Sequence, residues 1–348
     1  MADKSNQHYV PKFYFRFFSL DGKRICVLNR KNGLTIEHAP IKGQASKNYY
    51  YGDLTVEDRL QVIDGLFSSV LHNLKNAGTF EGYDPKSYVL LLQNLMLQKS
   101  RTLSARNKSK PMQDRLLQLY LEVQINNDEK LTEEQKDRFL GMIGNVAANP
   151  KQYQNMEMAV SVDVAEYLMD LVPVMLINKT NRPFIFSDAP VVFCNLLLQK
   201  ITLRGVLGAQ TPGLLIFYPL SPKHLILLFD ANSYRIKGVR NSVLSVRDLK
   251  DVAALNKLQI HNASNAVYFS EYQYSRYVSE LWRQEKTKLR EHRGTVVEAP
   301  GFDHDGEPLG DIVHSFEPQL PFFPDFIFLY HEIVQEKDYR FSRREEYA

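Results

Sequence analysis

The spacing of apolar residues changes period twice along this chain, and that double change constrains the fold more than any single motif. Residues 24–28 and 34–38 place apolar and β-branched side chains on either side of a loop containing Asn32 and Gly33, which predicts a β-hairpin. After Gly52 the apolar positions Leu60, Ile63, Leu66, Phe67, Val70, Leu71 and Leu74 fall three and four apart, the signature of one buried helix face. Beyond Pro183 the chain reverts to short apolar runs at residues 184–186, 191–195, 214–218 and 225–229, punctuated by Pro and Gly, most simply an antiparallel meander. Strands, then helices, then strands argue against a regular βαβ alternation and for an α+β fold, in which an N-terminal hairpin and a later meander form a sheet around a large helical insertion.

Capping signals refine the helical part. Asp84 and Pro85 read as the cap and first residue of a helix over residues 88–98 that continues toward Arg106. Further helices are expected at 113–124, at 132–148 behind a Thr132 to Gln135 cap, and at 162–172. Helical spacing returns at 246–264 and 274–293, with a strand at 266–270 between them. These readings predict a single domain over residues 1–293, helical at about 54–178 and sheet-forming at about 7–52 and 182–270, with a C-terminal extension at 294–348 whose aromatic stretch docks on the core.

Composition excludes several function classes. With 348 residues and 44% hydrophobic content the chain can bury a sizeable core, while 43 basic against 40 acidic residues leave a net charge of +3, so any basic site must come from local clustering. The apolar runs fall short of the roughly 20 residues of a membrane helix, and the polar start lacks the form of a secretory signal, which predicts a cytoplasmic protein with no membrane partner. Cys26 and Cys194 sit in apolar strand-like runs and read as buried thiols in a reducing compartment. No glycine spacing suits a phosphate loop, and no CxxC, HExxH or EF-hand pattern occurs, so the sequence identifies neither a metal nor any cofactor. Asp303, His304, Asp305 and Glu307 superficially resemble a metal site, but adjacent turn residues do not converge on one ion. Trp282 among basic residues is read as part of a solvated helix, because Glu280, Glu285 and Glu291 are interspersed.

Three constellations could carry chemistry. Gln7, His8, Tyr9, Val10 and Pro11 open an aromatic segment with Arg16, in which His8 serves either as acid, base or ligand, or as a structural hydrogen-bonding group while the rings anchor the N-terminus. Gln98, Arg101, Arg106 and Lys108 come at the end of the second long helix; Gln98 and Arg101 share a helix face, where Arg101 could grip a phosphate or carboxylate or simply compensate the helix dipole. Ser187 and Asp188 end a strand before Pro190, where Asp188 could orient His8, bind a metal or pair with Arg101, or else cap its own turn, and Asn256 sits on an otherwise apolar helix.

In order and approximate spacing these segments resemble the bacterial domain-of-unknown-function family 4238, from the opening Gln7-His8-Tyr9-Val10-Pro11 through Gln98 with Arg101-Thr102 to Ser187-Asp188-Ala189-Pro190-Val191. The resemblance runs to about Ser270 and includes the Asn256 helix; Ala189 stands where the family often has Asn, and Lys12 and Leu103 also depart from its pattern. It implies that His8, Arg16, Gln98, Arg101 and Asp188 belong to one shared design, and it brings no settled activity with it. The expectation drawn from these residues is a metal-independent phosphodiester hydrolase, an RNase or nuclease-type effector of phage defence or conflict. In it His8, Asp188 and Arg101 are catalytic, and Gln7, Tyr9, Arg16, Gln98, Ser187 and Asn256 bind RNA or a nucleotide. The alternative is a non-catalytic binding or regulatory module for an anionic ligand, a partner protein or a second copy of the chain.

Overall fold

The computed structural model describes residues 5–202, 204–303 and 305–331, so the reading at His304 lies outside the described residues. Strand β1 (Asn6–His8) and helix α1 (Lys12–Arg16) precede the hairpin β2 (Arg24–Asn29) and β3 (Thr35–Pro40), and β4 (Ser46–Asn48) returns antiparallel to β1. Helices α2 (Leu54–Ala77), α3 (Pro85–Ser100), α4 (Leu103–Asn127), α5 (Glu133–Leu140) and α6 (Pro150–Val164) follow. The chain then alternates through β5 (Val172–Asn178), β6 (Phe186–Ser187), β7 (Val192–Asn195), β8 (Leu214–Ser221), β9 (His224–Phe229), β10 (Tyr234–Ile236) and β11 (Val243–Val246). Helix α7 (Leu249–Asn262), β12 (Ala266–Phe269), α8 (Ser275–Glu285), the hairpin β13 (Thr295–Phe302) and β14 (Pro308–Phe316), and β15 (Leu329–His331) complete it.

The fold is α+β, with its strands shared between two main sheets. Five strands run in the order β11-β5-β9-β8-β7, antiparallel except for the parallel pair β11 and β5, and contain three runs of the expected meander, while the fourth, at 184–186, leads into β6, which pairs with β12 outside this sheet. The N-terminal hairpin belongs to a second sheet in the order β3-β2-β12-β6. Helix α1 is wedged between the two. Tyr14 stacks on Tyr218 of β8 at 5.0 Å, while Phe15 meets Tyr268 of β12 at 4.8 Å and Phe186 of β6 at 5.1 Å. The aromatic density near the N-terminus is therefore the joint between the sheets, where each ring buries a large apolar area.

Several element boundaries differ from the sequence reading, each for a local reason. Helix α3 does not continue to Arg106: Thr102 adopts an extended backbone and its hydroxyl accepts from the Ala105 amide, capping a new helix, α4, which runs on through Pro111 to Asn127. Thr132 and Gln135 form a reciprocal capping box, but α5 ends at Leu140 rather than near residue 148. The run over 172–178 is strand β5, not helix, so sheet begins inside the expected helical part. Its apolar residues are buried within a five-stranded sheet, where alternation disappears and periodicity cannot separate strand from helix. Likewise β11 occupies Val243–Val246 before α7 starts behind the Asp248 cap, and α8 stops at Glu285, short of residue 293.

Beyond α8, the β13 and β14 hairpin crosses α4, while Phe326, Phe328 and Leu329 are buried beside Leu255 of α7 and Phe217 of β8. Cys26 and Cys194 are buried free thiols. Among the described residues no helix is long and apolar enough to cross a membrane.

Candidate functional site

The opening motif and the end of α3 form one buried polar cluster. Gln7 accepts the Tyr51 amide at 2.7 Å and donates to the Asp53 carbonyl at 3.1 Å, fixing the entry to α2. His8 Nε2 donates to the Lys42 carbonyl at 3.0 Å; burial first, and then the nearby Lys12 charge, lower its pKa to about 4, so the ring is neutral at ordinary pH. The His8 carbonyl accepts from Tyr51 Oη at 3.2 Å and from Arg101 at 3.0 Å, and Gln98 donates to the Tyr9 carbonyl at 3.0 Å.

Arg101 is buried and forks onto Asp64 of α2 at 2.7 and 3.3 Å, while its Nε donates to Tyr51 Oη at 3.2 Å. Burial opposes its charge, but Asp64 outweighs burial and keeps the guanidinium protonated. Asp64 was missed in the sequence reading. The available signal was a carboxylate on the buried stripe of α2, four residues after Leu60 and three before Phe67.

Ser187 and Asp188 form a second cluster with α7. The Asp188 carboxylate accepts the Ser264 and Asn265 amides at 2.7 and 2.8 Å; burial nevertheless pushes its pKa up to about 6 against these bonds and the Arg30 charge. The Ser187 amide and hydroxyl both donate to Gln259 Oε1 at 3.0 Å. Asn256 accepts the Ile185 amide at 3.0 Å and donates to the Pro183 carbonyl at 2.9 Å, Gln259 donates to Pro190, and Asn262 donates to Ala189 and Val191. Asn256, Gln259 and Asn262 recur every three residues on α7, and this amide ladder satisfies the irregular backbone of 183–191. Only its first member entered the sequence reading; the spacing of the other two was the overlooked signal.

His8 and Arg101 thus meet through the His8 backbone rather than its imidazole, and Asp188 serves the α7–β12 connection. Tyr9 joins the clusters: its phenol, pushed up in pKa by burial and then by the Asp188 charge, engages the Asn265 side chain. Arg16 is exposed at the end of α1, outside both clusters.

Above the joined clusters lies a groove of about 700 Å³ between the hairpin end, α4 and the segment after α8. Arg30, Lys31, Lys110 and Arg293 line it against two acids, Asp114 and Glu291, and Lys110 pairs with Asp114 at 2.5 Å. Ser264 and Asn265, whose amides hold Asp188, line it too, and Ser264 Oγ is buried with no hydrogen-bond partner among the described residues. Arg30 is oriented by donating to the Ile260 and Arg290 carbonyls at 3.3 and 2.8 Å. His292 lies between Ser104 Oγ and the Ala263 carbonyl, both at 2.9 Å; burial and the Lys108 charge lower its pKa to about 3. Among the described residues no group of three or more His, Cys, Asp or Glu side chains could hold a metal ion.

No curated protein and no solved structure matches this chain. The model of one family, described as a protein of unknown function (DUF4238), matches residues 6–273, a span that contains the opening motif, the α3–α4 junction, the Ser187-Asp188 turn and the α7 amide ladder. The chain belongs to that family.

Proposed function

We propose that the chain is a binding module for a small ligand bearing phosphate or carboxylate groups, received in the groove between α4 and the 291–293 segment. The observation that carries this reading is convergence: the Asp188 turn holds the Ser264-Asn265 floor from below, Tyr9 of the opening motif reaches Asn265, and α4, which starts at the Arg101-Thr102 break, forms one wall. Four cationic side chains against two acids give the lining an excess of positive charge, which suits a ligand bearing phosphate or carboxylate groups. A nucleotide is the natural ligand class by volume, since the groove falls in the range of small-molecule pockets.

Phosphodiester hydrolysis is the weaker reading, because a general base needs a ring nitrogen facing substrate, whereas His8 Nε2 is engaged by Lys42 and its imidazole gives up its proton far below neutrality. Binding and turnover are separated in one experiment. Purified protein is titrated with ATP, pyrophosphate and a short RNA by calorimetry and thermal shift, with product analysis on the same samples. The expected outcome is stabilisation without products, lost in a Lys31→Glu/Arg293→Glu variant. Absence of binding to all three, or unchanged binding by the variant, would overturn the proposal, and products that vanish in His8→Ala would replace it with the hydrolase.

A further inference from the structure

On another face of α4, Lys99 from the last turn of α3 and Lys108 from α4 converge on a single carboxylate. Glu317 Oε2 lies 2.6 Å from Lys99 Nζ and Oε1 lies 2.5 Å from Lys108 Nζ, with side-chain exposures of 20, 25 and 13% for Glu317, Lys99 and Lys108. The two lysines lie nine positions apart and meet because the chain breaks at Arg101 and Thr102 and turns into α4. Beside them is a recess of about 290 Å³ that also exposes Ser109 and Glu157. Burial pushes the Glu157 carboxyl up in pKa.

The two sides of this contact come from different parts of the chain. Lys99 and Lys108 fall within the family span of residues 6–273, whereas Glu317 lies in the extension beyond it. Two ammonium groups sharing one partly buried recess repel each other and lose hydration, so the recess requires an anion. Glu317 meets that requirement: burial disfavours its charge, but Lys108 and Lys99 overcome the penalty and hold its carboxyl well below the usual range. Its position depends on a strap. Gly294 passes so close to α4 that a Cβ there would lie 2.1 Å from the Lys108 carbonyl oxygen, and Arg115 of α4 pairs with Glu298 of β13 at 2.5 Å.

We infer that Lys99 and Lys108 form a second anion-binding site, for a single phosphoryl group, and that Glu317 is its intramolecular occupant. The recess is smaller than the nucleotide-sized groove, and two lysine point charges suit a compact phosphoryl oxyanion. The strap thereby sets the affinity of this site, since a ligand phosphoryl group must displace Glu317.

The test uses full-length protein carrying Lys31→Glu and Arg293→Glu, which suppress phosphate uptake in the groove. Inorganic phosphate is titrated by calorimetry and thermal shift at low salt, with Glu317→Gln added in one variant and Glu298→Ala, which loosens the strap, in another. Phosphate is expected to bind each at least about tenfold more tightly than the parent, and Lys99→Ala combined with either substitution should abolish the gain. Unchanged phosphate affinity in a folded Glu317→Gln variant, or a gain that survives Lys99→Ala, would overturn the inference. Should Glu317→Gln fail to fold, the Glu298→Ala pair decides it by the same two criteria.

Discussion

Arg101 donates to the backbone carbonyl of His8 at 3.0 Å while its fork holds Asp64 at 2.7 and 3.3 Å, so the guanidinium ties the opening strand to α2 and α3 at once. Removing it leaves the half-buried Asp64 charge uncompensated and takes a donor from the His8 carbonyl. Arg101→Met is therefore expected to lower unfolding stability by about 3 to 5 kcal/mol, the range for breaking a buried pair from one side. Arg101→Lys should recover only part of the loss, because an ammonium cannot fork onto the carboxylate and reach His8 together. Urea unfolding midpoints measure both, and a Met variant as stable as wild type would remove this clamp from the account of the fold.

The neutral state of His8 has a consequence for acid stability. Its pKa drops from 6.5 to about 4 on folding, so the unfolded chain takes up a proton first as pH falls. The associated stability is present above pH 6.5, declines below it and is lost by about pH 4. Linkage puts the His8 share of the loss between pH 7 and pH 5 at about 2 kcal/mol. His8→Gln retains a donor for the Lys42 carbonyl and does not titrate. Its stability should fall less between those two pH values, by about that amount, and identical pH slopes for variant and wild type would refute the assignment.

Asp188 predicts an effect of substitution on the groove. Its two oxygens accept two different amides, from Ser264 and Asn265, and an asparagine has only one acceptor oxygen to offer. Asp188→Asn is expected to cost about 1 to 3 kcal/mol by leaving one buried N–H facing an amide group. Because Ser264 and Asn265 line the groove, nucleotide affinity should fall as well. Stability measured at pH 7, combined with nucleotide titration, separates the two effects, and a variant unchanged in both would show that the turn does not shape the groove.

What could be read in the sequence follows from which signals are local. Caps at Asp84 and Thr132 and the hairpin around Asn32-Gly33 were legible because turn and cap chemistry is completed within a few residues. Strand β5 was not, since burial on both sides removes alternation. The motif residues were legible as a set, but not their roles. His8, Arg101 and Asp188 look like catalytic groups by type, whereas their partners, the Lys42 and His8 carbonyls, Asp64, and the Ser264 and Asn265 amides, are up to 93 residues away and carry no local trace. The groove cations were missed for the same reason: Arg30, Lys110 and Arg293 come from three distant segments.

Gly294 provides the sharpest steric prediction. A Cβ on this residue would meet the Lys108 carbonyl oxygen at 2.1 Å, and backbone of α4 cannot withdraw as a flexible side chain would. The strap must therefore move in Gly294→Ala, because its neighbours oppose an accommodation in place: His292 is bonded to Ser104 on one side and Glu298 to Arg115 on the other. Overpacking of this kind costs about 1 to 3 kcal/mol. Hydrogen exchange should place the damage. Amides of β13 and β14 are expected to exchange faster in the variant, while those of β12 and α7, which rest on separate sheet and ladder contacts, keep their protection. Equal protection of the hairpin in both proteins would mean that close passage over Lys108 does not hold the strap in place.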